Sequence, residues 1–148
     1  MEHKHIGLAL LLIAVAFMGG CFEKEAQDHV GTTLSLGLKE TIVPNNHLVL
    51  GDIYTDNKGM TLYTYARDAE GKSNCQGQCA IDWPPLTVED IPIPPENAQV
   101  TLGVTVREDG RRQVTLDGKP LYYYIEDKNP GDAKGQGKNN EWLAAEIP

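Results

Sequence analysis

Apolar and polar positions along the chain follow two regimes. Residues 6–18 (IGLALLLIAVAFM) form one apolar run, interrupted only by Gly7, behind the short polar flank Glu2-His3-Lys4-His5. Such a run is short for a membrane-spanning helix, which needs about 20 residues, and suits the h-region of an export signal. Further along, apolar residues alternate with polar ones at the period of a half-buried strand. In residues 118–127 (GKPLYYYIED), Leu121, Tyr123 and Ile125 share one face, and Tyr122 and Tyr124 the other. Residues 59–68 (GMTLYTYARD) do the same, with Leu62, Thr64 and Ala66 opposite Tyr63 and Tyr65. Further strands are predicted at 47–55, 100–107, 113–116 and 141–147. Asp109-Gly110, Asp117-Gly118 and Asn57-Lys58-Gly59 are turn candidates between them. Pro84-Pro85 and the proline-dense stretch 92–95 interrupt the ladder and link what lies on either side. No long amphipathic helix is predicted; a short helical turn is the most that residues 75–83 would hold.

The two alternating blocks are copies of one another. At an offset of 59 residues, Gly59 matches Gly118, Leu62 Leu121, Tyr63 Tyr122, Tyr65 Tyr124, Asp68 Asp127 and Trp83 Trp142 (122 minus 63 is 59). Both tryptophans and four of the six tyrosines fall in that one register, which marks an internal repeat. Two copies point to a small pseudo-symmetric domain, since solenoids and propellers need more units to close a core. The predicted fold is mainly β: two tandem pseudo-symmetric repeats, one over about 48–88 and one over about 100–147, within a domain spanning 46–148.

The export run ends in Met18-Gly19-Gly20-Cys21, which resembles the lipobox of bacterial lipoproteins, where cleavage leaves an acylated cysteine as the new N-terminus. Met18 departs mildly from the aliphatic residue that the pattern prefers. On this reading residues 1–20 are a signal peptide, Cys21 carries the lipid, and residues 21–45 are a polar tether with a candidate first strand. The competing reading is an uncleaved anchor with Cys21 an ordinary thiol. Parity favours acylation: of Cys21, Cys75 and Cys79 it leaves an even pair, where a spare thiol in an oxidising compartment is a liability.

The blocks Tyr63-Thr-Tyr65-Ala-Arg-Asp68 and Tyr122-Tyr-Tyr124-Ile-Glu-Asp127 carry a Tyr-x-aromatic-x-x-Asp motif. Together with Cys79-Ala-Ile-Asp-Trp-Pro-Pro-Leu86 and Gly118-Lys-Pro-Leu-Tyr122, they resemble the lipoproteins described as the secreted repeat of unknown function. The resemblance covers roughly residues 48–147. It implies an exported, often lipid-anchored domain and carries no catalytic role with it.

Composition narrows the function. The 148 residues carry a formal charge of -8, with a pI near 4.9 and no basic stripe, which argues against nucleic-acid binding. A hydrophobic fraction of 41% supports one modest core. There is no Gly-x-Ser-x-Gly elbow, His-Glu-x-x-His pair or phosphate-cradling loop, and residues 131–137 (GDAKGQG) match no nucleotide signature. No enzymatic activity and no cofactor are therefore expected.

Two constellations remain. Cys75-Gln-Gly-Gln-Cys79 occurs only in the first copy and is predicted to close as a disulfide. The alternative is a redox or copper-type metal site, with His47 and Met60 as candidate soft ligands. Tyr63, Tyr65, Asp68 and Trp83, with Tyr122, Tyr124, Asp127 and Trp142, form the other. They read either as core anchors and turn caps or as a surface binding a sugar, a peptide or a cation. The expectation is an extracytoplasmic, lipid-anchored module of the cell envelope, on its periplasmic or outer face. It would be held to the membrane by its lipid, binding an unknown ligand or envelope protein or serving a structural role.

Overall fold

The computed structural model describes residues 40–148; Cys21, the export segment and most of the tether lie outside them. Seven strands and two single-turn helical segments make up a mainly β domain. Strands β1 (Ile42–His47) and β2 (Gly51–Asp56) form an antiparallel hairpin, with Ile42 opposite Asp56 and His47 opposite Gly51. Strand β3 (Tyr63–Tyr65) follows, then the one-turn helix α1 (Gln78–Asp82). The second copy begins with a hairpin of β4 (Leu102–Val106) and β5 (Arg112–Leu116), continues into the short β6 (Lys119–Pro120), and ends, past a turn at Lys138–Asn140, in β7 (Trp142–Ala144). Among the described residues no helix is long and apolar enough to cross a membrane.

The hairpins correspond at an offset of 60 (102 minus 42), whereas everything after them corresponds at 59, because the turn after β2 is one residue longer than that after β5. In the shorter turn Asp117 and Gly118 both take positive φ, 47° and 79°, the geometry that Asp-Gly hairpin turns need. The expected strand over 47–55 is instead the end of β1, a turn and most of β2. Leu48-Val49-Leu50 reads as strand by hydropathy. His47 turns it into a hairpin tip: its Nδ1 accepts the backbone N–H groups of Val49 and Leu50 at 3.2 and 3.1 Å, and Gly51 follows at a φ of 77°. Leu48 is left wholly exposed.

Alternation along the repeated strands divides the interior into two halves. Leu62 and Leu121 enter an aliphatic half with Ile42, Tyr54, Leu86, Val114, Leu116 and Ala145. Tyr63 and Tyr122, one residue on, enter an aromatic half with Trp83, Tyr124, Trp142, Ile53, Cys75 and Ala144. The repeat sequence thus feeds both halves from the same two strands.

Candidate functional site

The two copies exchange partners. Tyr63 and Tyr122 face each other across a local two-fold relation, each backbone N–H donating to the other's carbonyl, at 2.8 and 2.9 Å. Strand β3 of the first copy pairs with β7 of the second, setting Tyr65 opposite Trp142. The mirrored pairing joins the second copy's tyrosines to the first copy's tryptophan segment: Leu86 N–H donates to Leu121 O at 2.9 Å, Tyr123 N–H to Pro84 O at 2.7 Å and Ile125 N–H to Asp82 O at 2.9 Å. Pro84-Pro85 occupies the place of Leu143-Ala144 in β7. Pro84 supplies a carbonyl acceptor there and both prolines lack the N–H donors of a full ladder, so the pairing that they were expected to interrupt persists in reduced form.

The tyrosine and aspartate side chains are exchanged in the same way. Tyr63 Oη donates to Asp127 Oδ2 at 2.6 Å, and Tyr122 Oη donates to Asp68 Oδ2 at 2.7 Å. Each aspartate spends its other oxygen on the loop that follows it: Asp127 Oδ1 accepts from Lys134 N–H at 2.9 Å and Asp68 Oδ1 from Asn74 N–H at 2.7 Å. Asp127 is buried and Asp68 half-buried. Burial raises the Asp68 carboxyl above the ordinary carboxylate range, against the lowering pull of the Asn74 amide and the Tyr122 hydroxyl. Burial, reinforced by the neighbouring carboxylates, pushes the Tyr63 and Tyr122 phenols far above their usual value.

The tryptophans stack face to face at 3.8 Å with their planes 2° apart. Tyr65 stacks on the outside of Trp142 at 4.2 Å, and Tyr124 lies against Trp83 at 4.3 Å with its plane tilted by 30°, giving a four-ring column Tyr65–Trp142–Trp83–Tyr124. Tyr63 meets Trp83 edge-on at 5.4 Å and Tyr122 meets Trp142 at 5.1 Å. All eight residues of the repeated constellation therefore come together in one cluster.

The ends of the column differ. At one, Lys138 Nζ lies 5.2 Å from the Tyr124 ring centroid. At the other, Tyr65 lines an open groove of about 590 Å³, which also takes in Asp68, Glu70, Asp117, Lys119, Glu141 and Leu143. Four carboxylates face one lysine there, and Glu141 is also paired with Arg67.

Cys75 and Cys79 are joined as a disulfide with their Cα atoms 5.2 Å apart, and Cys75 packs inside the aromatic half. Among the described residues no three His, Cys, Asp or Glu side chains gather to hold a metal ion. His47 is committed elsewhere, with Nε2 3.0 Å from Gly131 O.

Two residues that sequence reasoning passed over hold the site together. Arg107, its side chain fully buried, donates to Ser73 Oγ, Gln113 Oε1, Cys75 O and Gln76 Oε1 at 2.6 to 3.0 Å. Ser73 Oγ in turn lies 2.8 Å from the Tyr122 hydroxyl. Gly135 packs on Trp83 and Tyr63 so closely that a Cβ would come within 2.8 Å of both rings. Its amide donates to the Tyr63 phenol oxygen at 3.3 Å. Arg107 occupies the hairpin position of His47 at the offset of 60, a correspondence that only the pairing register reveals.

No curated protein matches the chain significantly, and no solved structure does. A family model described as a secreted repeat of unknown function matches twice, at residues 49–87 and 103–146, which together make up more than half of the sequence. The matched segments contain both Tyr–Asp blocks and both tryptophans, the residues that the exchanged pairing brings together. By this double match the chain belongs to the family described as the secreted repeat of unknown function.

Proposed function

We propose that the protein is a lipid-anchored, extracytoplasmic binding module, attached through Cys21 and taking up a cationic group of its ligand in the groove beside Tyr65. Membership in a secreted family supports the compartment, and the Gly19-Gly20-Cys21 sequence behind an apolar run supports the anchor. The observation that carries the binding reading is the groove itself: an aromatic ring held rigid by stacking, flanked by Asp68, Glu70, Asp117 and Glu141. A ring face attracts a cation through its quadrupole, and nearby carboxylates add charge attraction without requiring the cation to shed all its water. The Tyr124 end already has Lys138 over its ring, so the two ends of the pseudo-symmetric column are not equivalent for a ligand.

Two measurements test this. Intact mass of the membrane-extracted protein should show a chain beginning at an acylated Cys21, and Cys21→Ser should abolish that species; a product retaining Met1 with no acyl mass would remove the anchor. Trp142 stacks on Tyr65, so tryptophan fluorescence should respond saturably to choline or a lysine-rich peptide and much less to a neutral sugar. Glu70→Gln with Asp117→Asn should weaken that response. No saturable response to any of these ligands would refute binding of a cation in the groove.

A further inference from the structure

Every aromatic residue in the described domain is a tyrosine or a tryptophan; the two phenylalanines of the chain, Phe17 and Phe22, both precede it. Phenylalanine fills a core without needing a hydrogen-bond partner, whereas each buried tyrosine hydroxyl must find one. Tyrosine and tryptophan differ from it in a second respect: they are the aromatic side chains that surrender one electron within reach of biological oxidants. Six of these rings form one uninterrupted contact path. It runs from half-buried Tyr65 through Trp142 and Trp83 to Tyr124, with Tyr63 and Tyr122 edge-on at its centre and no centroid separation above 5.4 Å.

We propose that this cluster is a one-electron redox site, which gives an electron to a strong oxidant meeting the protein at Tyr65 and settles the resulting hole on Tyr63 or Tyr122. The oxidant class is an oxygen-centred radical or a metal complex in its upper oxidation state. Oxidation of a neutral phenol releases a proton as well as an electron, and the structure provides for both. The electron passes along the stacked rings to the oxidant, which is reduced by one unit. The Tyr63 O–H bond breaks and its proton moves along the 2.6 Å hydrogen bond to Asp127 Oδ2, leaving a neutral tyrosyl radical beside a carboxylic acid. Tyr122 and Asp68 do the same across 2.7 Å. An ascorbate-like one-electron reductant reverses the step: the electron returns, and the carboxylic acid gives the proton back to the phenolate oxygen.

Three further features favour this chemistry over ordinary packing. Burial keeps both phenols un-ionised, so the proton stays on the oxygen until the electron is taken. The raised carboxyl of Asp68 makes it a better proton acceptor than an exposed aspartate. Polar neighbours also hold each phenol oxygen in place, the donating Gly135 amide at 3.3 Å for Tyr63 and Ser73 Oγ at 2.8 Å for Tyr122.

The test is flash oxidation of the detergent-solubilised full-length protein by tris(bipyridine)ruthenium(III), followed by transient absorption and freeze-quench electron paramagnetic resonance. A neutral tyrosyl radical is expected, forming at a rate independent of buffer-base concentration because the proton acceptor is internal. Ascorbate should restore the full signal for a second flash. Asp68→Asn with Asp127→Asn should slow tyrosyl formation by about tenfold or more, since a charged acceptor is replaced by a neutral amide. Tyr63→Phe with Tyr122→Phe should leave the hole on tryptophan. A rate that follows buffer base in the wild-type protein overturns the proposal, as does an unchanged tyrosyl signal in the double Phe variant or a signal that ascorbate cannot restore. The buffer and ascorbate arms need no variant, so a substitution that unfolds the domain leaves the question decidable.

Discussion

Gly135 shows how a residue with no chemistry of its own can fix a site. It touches Trp83 and Tyr63 where any side chain would displace a ring, in a core whose rings already contact one another face to face and edge to face. Gly135→Ala should therefore cost about 1–3 kcal/mol, the usual range for overpacking, read as a lower midpoint in urea at unchanged slope. The aspartates make the complementary case, because each holds a phenol of the other copy and an amide of its own loop. Asp68→Ala and Asp127→Ala should each lower stability by roughly 1–3 kcal/mol, with the larger loss at the more buried Asp127. Thermal melts of the two variants check this, and unchanged melting in both would free the Tyr–Asp pairs from any structural duty. At this scale the sequence was legible wherever a residue recurs at the fixed offset: the tyrosines, aspartates and tryptophans all announce themselves that way. Gly135 does not, because its counterpart at that offset is Gln76 and the need for a glycine arises only from ring packing across the two copies.

Among the elements, the 73–79 segment depends on two unrelated fasteners. The disulfide closes a short loop, and the chain-entropy estimate gives such a closure about 2 kcal/mol, so Cys75→Ser with Cys79→Ser should lose about that much and remain folded. Arg107 ties the same segment to β5 by donating to Ser73, Cys75 O and Gln76 on one side and Gln113 on the other. Arg107→Ala leaves several buried acceptors without a donor and should cost more, about 3 kcal/mol or above. Equilibrium unfolding of both variants orders the two fasteners, and an Arg107 variant less damaged than the cysteine pair would contradict that ranking. The strands were legible through alternation, as in β7, where Trp142 and Ala144 are buried and Leu143 between them is exposed. The β1–β2 hairpin was not, since Leu48-Val49-Leu50 has strand-like hydropathy and the turn is imposed by a histidine ring capping two amides, a contact with no period.

For the molecule as a whole, the two core halves share a response to alkali. Burial raises the phenols of Tyr63 and Tyr122 in the aromatic half, that of Tyr54 in the aliphatic half, and that of Tyr123, which packs against the aliphatic half with its hydroxyl 3.1 Å from Asp56 Oδ2. A phenol whose folded value is raised holds its proton after the unfolded chain, titrating near pH 10, has released it. The folded state then binds more protons than the unfolded state, so stability falls as pH rises. The stabilisation is complete below about pH 10 and is lost above it, as the pH climbs toward the folded values. Four phenols of the same sign, spread over both halves of one core, should make the loss steep and shared. On alkaline titration, tyrosinate absorbance from these four should rise together with the collapse of the near-ultraviolet circular dichroism. Tyr63→Phe should flatten the decline by about one proton's worth of slope. Four phenols that ionised near pH 10 with the near-ultraviolet signal intact would mean that the hydroxyls reach water in the folded protein, and the exchanged Tyr–Asp bonds could not then be what joins the two copies.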